Sequence, residues 1–569
     1  MASRAEPLPW QKRTQRYREA AAAKIPESWR LKPEFTADLG PTSSKSVLDV
    51  PAACGILTDR ELDITTKYDA VALLEKLAKS EFSSLDVTTA FCKRAAIAQQ
   101  LTCCLTETFF DQGIERAKYC DEYLASNKKT LGPLHGLPVS IKDSFNVKGI
   151  PSTIGYVSFL DHGPAKEDAA LVKVLLAQGA VLYTKTNVPQ SLMTGDSENN
   201  VFLRVLNPNK LLLGAGGSSG GEGALLAMKG SPIGVGTDIA GSIRIPAYVN
   251  GTFGLKPTTN RIPYGGQTGP GRAGAPGILP VAGPLARSLR DVDMFMKAVL
   301  TYDCWTVDDA VISAPWRETS PPSKQLTIGY LIEDAKYPLH PPVLRTLKTA
   351  IAKLEAAGHK LVPLASQLPT PGLMAEILES AFTGFAMDPA KTSMNNIHKS
   401  GEPIVGSIPT ATMPELKHFQ PSVDDVFRLN VERRQFCATF RDLYVRNGLD
   451  AALMPMYAGT AVAHDNYGLA IYTVLANLLD YPAMTLPYLK ADKQADVEYR
   501  RDVAYTPPCE YFPRRDNTAL ADFLCLGADV PNEVEGAPCG IQLLGRPMRD
   551  EELVQHSQTV ADALEINSL

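Results

Sequence analysis

Only eight histidines occur among 569 residues, and none lies between His162 and His340. A nucleophilic hydroxyl in that stretch has no imidazole near it in the chain to take its proton. The ten cysteines include no C-x-x-C spacing. That sets aside a zinc knuckle and a disulfide framework alike and leads us to expect reduced thiols in a cytoplasmic chain. Charge of one sign is equally scarce, with a formal net charge of -5 and no block of five like charges, so no nucleic-acid partner is expected. The most apolar long run, LAIYTVLANLLDYPAMTLPYL, is interrupted by Asn477, Asp480, Pro482 and Pro487, which excludes a bilayer helix. MASRAEPLPWQKRTQRYREAAAAKI lacks the apolar core of a secretory signal, and Glu6 and Glu19 weigh against a mitochondrial presequence. The terminal NSL lacks the basic residue of a peroxisomal SKL-type address.

What is present is an ordinary globular composition, 44% hydrophobic and 21% charged, able to bury a large core. Residues 66–130 read as helices, because Ala70, Leu73, Leu74 and Leu77 recur at three- and four-residue spacing. LPVSIKD then alternates, with Leu137, Val139 and Ile141 on one side and Ser140 and Lys142 on the other. This predicts a half-buried strand with Lys142 at its end. Helix, Gly179 and the strand AVLYTKT follow, and QLTIGYLIED begins a second strand, helix, Gly358, strand succession. The rhythm predicts an α/β fold with a central mixed sheet covered by helices on both faces. The stretch 365–470 carries the weakest pattern and leaves room for a second lobe.

Twelve of the 42 glycines fall between residues 214 and 254. Such clustering marks tight turns or a close backbone approach. In KLLLGAGGSSGGEGALLAMKG a dinucleotide fingerprint fails, because Ser219 stands where the third glycine belongs, and a Walker A loop fails for want of G-K-[ST]. Gly217, Ser219 and Gly221 do satisfy G-x-S-x-G, the elbow of an α/β-hydrolase, which would make Ser219 the nucleophile of an esterase with a downstream Asp and His. Ser219 and Glu222 also form S-x-x-E before ALLAM, and a capping box is the preferred reading. That leaves the Ser218 hydroxyl free. Further on, GVGTDIAGSIRIPA sets Ser242 in a glycine-rich turn flanked by Asp238 and Arg244, which could fix it by an ion pair. The S-x-x-K at Ser126–Lys129 lies in a polar segment without an S-D-N partner and is accidental.

Taken together, GLPVSIKD, TNVPQSLM, GGSSGGEGAL, GVGTDIAGSIRIP, GLKPTTNRIPYGG and GPLARSLRD resemble, in order, the motifs of the amidase signature family. The nearest likeness is to its fungal acetamidase-like and fatty-acid amide hydrolase-like branches. The resemblance implies an amidase signature catalytic domain over 65–560, after an N-terminal helical arm (1–64) and before a tail (561–569). It implies a serine amidase in which Lys142 is the base, Ser218 the relay and Ser242 the nucleophile. It further implies that Ile239, Ala240, Gly241 and Ser242 supply the oxyanion donors, with Ser218 also at the substrate, and that the Gly217–Ser218 peptide is cis; the acyl pocket is expected to draw on Leu192 and Met193 after TNVPQS and on the stretch 365–470. No metal or organic cofactor is expected, the partner is a small-molecule amide, and a homodimer is suggested by family analogy only. The esterase, a scaffold subunit and a transamidase subunit of the same fold remain as alternatives.

Two departures stand out. Ala240 occupies a position where many relatives have glycine, and DSENNVFLRVLNP lacks the glycine usual near Leu203. For Lys142 to act as a base its pKa must fall from about 10.4 to roughly 7.5, which burial can supply.

Overall fold

A computed structural model describes residues 8–275, 277–319, 325–499, 501 and 530–566. Its strands, in chain order, are β1 (Leu105–Thr108), β2 (Pro138–Lys142), β3 (Val181–Thr186), β4 (Glu198–Asn199), β5 (Leu203–Arg204), β6 (Ile233–Asp238), β7 (Phe253–Lys256), β8 (Val281–Ala286), β9 (Thr327–Tyr330), β10 (Lys360–Pro363), β11 (Ala451–Met454), β12 (Ala483–Lys490) and β13 (Pro538–Leu544). Eleven of them form one sheet in the order β1-β3-β2-β6-β8-β7-β12-β13-β11-β9-β10, and β4 and β5 pair separately. β2 runs parallel to both β3 and β6, whereas β8, β7, β12 and β13 are joined antiparallel. The sheet is mixed. Every residue of β2, β3, β6, β8, β11 and β13 is buried, which requires cover on both faces. The α/β architecture with helices on both sides is therefore as the chain's alternating pattern implied.

The parallel pair β2 and β6 fixes where chemistry can sit. Both strands end at the same edge, with Lys142 closing β2 and Asp238 closing β6. Loops beyond the carboxyl ends of parallel strands are the usual ligand-binding edge of such sheets. The turn after β6 leads into the helix Arg244–Asn250, and the helix Gly220–Ala227 packs against β2, β3 and β6.

Three local expectations change. Residues 66–130 hold the expected helices joined by short turns, and also β1, whose four residues LTET pair antiparallel with β3 and are too few to show a period. β2 is buried on both faces instead of one, because the helix Gly220–Ala227 covers the side bearing Ser140 and Lys142. Alternation reports polarity, and here the polar side is also inside. The weakly patterned stretch 365–470 contributes helices Leu373–Phe385 and Val423–Asn447, which pack on each other, and then β11 inside the same central sheet. Near the other terminus, the helix Pro9–Ala23 lies by β1, where Tyr17 donates to Glu107 and stacks edge-on with Phe202 at 5.9 Å. Among the described residues no helix is long and apolar enough to cross a membrane.

Candidate active site

Lys142 is wholly buried at the end of β2, and its Nζ donates to Ser218 Oγ at 2.7 Å and to Thr237 Oγ1 at 2.8 Å. Both partners are neutral hydroxyls. Burial pushes the ammonium down to about 7, against the opposing pull of Asp238 and Glu222. A lysine ordinarily charged in water is thus brought to the range in which it can exchange a proton near neutrality.

Ser218 reaches Lys142 from the loop before the helix Gly220–Ala227, and the Gly217–Ser218 peptide is cis. The next residue ties that loop to the turn after β6, since the Ser219 N–H donates to the Ser242 carbonyl at 3.1 Å. Ser219 itself makes no side-chain cap bond. Its hydroxyl lies 3.4 Å from both the N–H and the C=O of Thr237, and Glu222 turns away to accept from Ser140 at 2.6 Å and Thr186 at 2.9 Å. The capping box does not form, because the glutamate finds two buried hydroxyl donors on β2 and β3 that outcompete its own helix end.

The turn carrying Ser242 is built around Asp238. Its Oδ1 accepts from Gly241 N at 2.9 Å, Asn477 Nδ2 at 2.9 Å and Arg244 Nη2 at 3.0 Å. Its Oδ2 accepts from Ile243 N and Arg244 Nε, both at 3.1 Å. Asp238 and Arg244 are fully buried, so this is an internal pair. Burial alone would raise the carboxyl's pKa, but Arg244 and the converging donors override it and hold the group well below the usual carboxylate range. Arg244 is held in turn by Asn477 Oδ1 at 2.6 Å and Gln542 Oε1 at 3.1 Å.

The positive φ of the turn falls on Gly241, at 124°, and Ala240 is not among the residues with positive φ. Ala240 therefore fits without backbone strain, and its carbonyl accepts from Thr473 Oγ1 at 2.6 Å. A Cβ at Gly241 would lie 2.4 Å from that same hydroxyl, so both geometry and space require glycine there. Of the four expected oxyanion donors, the Gly241 N–H is committed to Asp238. Those of Ile239, Ala240 and Ser242 have no recorded acceptor among the described residues.

A cavity opens on this turn, lined by Leu192, Met193, Gly217, Ile239, Ala240 and Ser242 among the residues expected from the sequence. Ser218, Ser219 and Gly241 are not among its lining residues. Ser191 and Leu192 hold φ of 74° and 62°, a backbone bend that points the following residues at the cavity. Leu203 adopts φ of 70° and remains exposed.

The sequence pointed to the stretch 365–470 as part of the pocket but not to the individual residues that contribute. Phe382 and Phe385, at 5.5 Å in an edge-on pair, and Tyr457 and Tyr467 close the far wall of the cavity. They come from the weakly patterned stretch. Thr237, beside Asp238 in its motif, was within reach as a Lys142 partner. Asn477 carried a usable signal too, as a lone amide in an apolar run.

The Amidase family model matches residues 86–554. An amidase of Gibberella moniliformis is 38% identical over 559 residues, covering 98% of this chain and 99% of its own length. An acetamidase of Emericella nidulans is 35% identical over 576 residues, with 98% and 99% covered. Among solved structures, a fatty acid amide hydrolase aligns with a TM-score of 0.87 at 32% identity, covering 99% of this chain and 96% of the other.

Proposed function

Because the chain belongs to the amidase signature family of amide hydrolases, we propose that it hydrolyses a small carboxylic amide through an acyl-Ser242 intermediate, with Ser218 as relay and Lys142 as base. The observation that carries this reading is the buried lysine whose Nζ donates to Ser218 and Thr237, beside a turn that exposes Ser242 to the cavity. Neutral Lys142 takes the Ser218 proton as Ser218 takes that of Ser242, and Ser242 Oγ attacks the amide carbonyl. The negative charge developing on oxygen meets the free N–H groups of the 239–242 turn. The proton returns by the same path to the departing nitrogen, releasing ammonia or an amine. Water, deprotonated through Lys142, then frees the carboxylate.

The name acetamidase borne by one relative supports a short acyl group, and the side chains of Phe382, Phe385, Tyr457 and Tyr467 bound the cavity in which that group would sit. Ser242→Ala is expected to abolish covalent labelling by a fluorophosphonate probe while Ser219→Ala retains it, and the reverse pattern would overturn the assignment in favour of the esterase reading. Turnover of simple amides by the purified single chain separates this reading from a transamidase or scaffold subunit.

A further inference from the structure

Ser191 and Leu192 are consecutive residues, neither of them glycine, and both sit in the left-handed region of the backbone. Such a conformation costs free energy at each residue and persists only where the surroundings over-determine it. The residue before them supplies the anchor. Gln190 is fully buried, its Oε1 accepts from Val405 N at 3.1 Å, and its Nε2 donates to the Pro403 carbonyl at 3.2 Å and to Glu402 Oε2 at 2.7 Å. All three partners belong to the segment 392–411, which runs through the helices Thr392–His398 and Ser407–Thr410 and reaches the cavity wall at Ala411. Glu402 is the centre of this seam. Only 4% exposed, its carboxyl accepts four bonds, Oε1 from Val157 N at 2.7 Å and Ser400 Oγ at 3.1 Å, Oε2 from Gln190 and from Asn200 Nδ2 at 2.9 Å. All four donors are neutral. One carboxyl thus joins the start of the short helix Val157–Asp161, the loop after β3 and the link between β4 and β5 to the segment 392–411.

We propose that Glu402 is a positioning residue for the pocket: through Gln190 it fixes the bend that carries Leu192 and Met193 into the cavity, and so sets how long a chain fits beside Ser242. This rests on the assignment of Ser242 as the nucleophile. Glu402 lies outside the cavity wall and touches none of Lys142, Ser218 and Ser242 in the bonds above, so its influence passes through the residues it holds. The bend is gripped on its other side by apolar contact, since Leu192 packs on the cluster of Ile154, Tyr156, Phe159 and Ile397, the last of these again from the segment 392–411. The same segment holds two more lining residues. Ser407 Oγ donates to Thr194 Oγ1 at 3.2 Å, and Thr410 Oγ1 donates to the Tyr467 carbonyl at 2.7 Å. Apolar contact resists compression but leaves a side chain free to slide, whereas hydrogen bonds fix direction. The polar seam at Glu402 and Gln190 therefore gives the bend its one defined position.

The test is the rate at which Ser242 is labelled by two fluorophosphonates that differ only in their alkyl chain, one ethyl and one octyl, in the wild type and in Glu402→Ala. Releasing the bend loosens a wall that limits length. The ratio of octyl to ethyl rates is expected to rise by roughly tenfold, the low end of what one methylene of misfit is worth in an apolar pocket. A general loosening of the protein slows both probes alike and leaves the ratio in place, so an unmoved ratio overturns the proposal. Should Glu402→Ala fail to fold, Gln190→Ala cuts the same linkage from its other end. It is expected to raise the ratio likewise, and an unmoved ratio there overturns the proposal equally. Ser393→Ala removes the 2.7 Å bond to Tyr156 elsewhere on the segment and is expected to keep the wild-type ratio. An equal shift in that variant would assign the effect to the segment as a whole and overturn the role of Glu402. Absence of wild-type labelling at Ser242 would sink the nucleophile assignment and this proposal with it, whereas labelling with an unmoved ratio sinks only the role of Glu402.

Discussion

Asp238→Asn tests how the turn carrying Ser242 is held. Both carboxylate oxygens accept: Oδ1 from Gly241, Asn477 and Arg244, and Oδ2 from Ile243 and Arg244. An asparagine keeps one oxygen and must aim an NH₂ at donors whichever way its amide is turned. Arg244, with no exposed surface, then loses its only salt-bridge partner among the described residues. Breaking a buried pair by removing one member costs about 3–5 kcal/mol, and total stability is typically about 5–15 kcal/mol. The variant should therefore fold but unfold at markedly lower urea concentration. The turn over 239–242 would lose its anchors at Gly241 and Ile243, and loss of aligned oxyanion donors costs roughly 10²–10³-fold in kcat. Urea titration followed by fluorescence, paired with kcat on a short amide, reads both effects. A variant within about 1 kcal/mol of wild type that retains full turnover would refute the view that Asp238 organises the turn. The wild-type pair is stabilising above the unfolded carboxyl's pKa of about 3.9 and is lost as pH falls below it, because the folded carboxyl's pKa is depressed.

Wild-type kcat/KM should rise as pH passes through about 7, where Lys142 gives up its proton, and a profile flat from about pH 6 to 9 would count against a titrating lysine. In the same experiment stability should increase with pH from about 7 toward about 10.4. Over that window the unfolded lysine holds a proton that the buried one has lost, so the unfolded state binds more protons. Phe385→Ala should enlarge the cavity and raise kcat/KM for a chain two methylenes longer by roughly tenfold relative to the shortest substrate, at about 0.8 kcal/mol per buried methylene. An unchanged chain-length profile would show that Phe385 does not bound the acyl group.

Much of the site was legible because its parts are local. GGSSGG and GTDIAGS each concentrate glycine and small polar residues within a few positions, and the helix and strand periods between them announce the α/β rhythm. Other features were not local. The strand LTET is four residues long and exists by pairing with β3, and Glu222 was read as a cap because its donors, Ser140 and Thr186, are distant in the chain. The aromatic wall came from a stretch whose helices take their faces from neighbours on several sides, which blurs the apolar period.

The sequence by itself therefore determined the order of elements that brings Lys142, Ser218 and Ser242 together, since that order depends on short-range pattern, whereas the roles proposed for them came through the likeness to a family. Tertiary structure decided how those residues behave. The polar side of LPVSIKD is dry only because the helix Gly220–Ala227 covers it, and Lys142 is brought near neutrality by that cover. Ala240 is strain-free because Gly241 takes the positive φ, and part of the cavity wall is made by two phenylalanines from a distant helix. Burial and proton affinity are properties of a neighbourhood, and a neighbourhood exists only once the chain has folded.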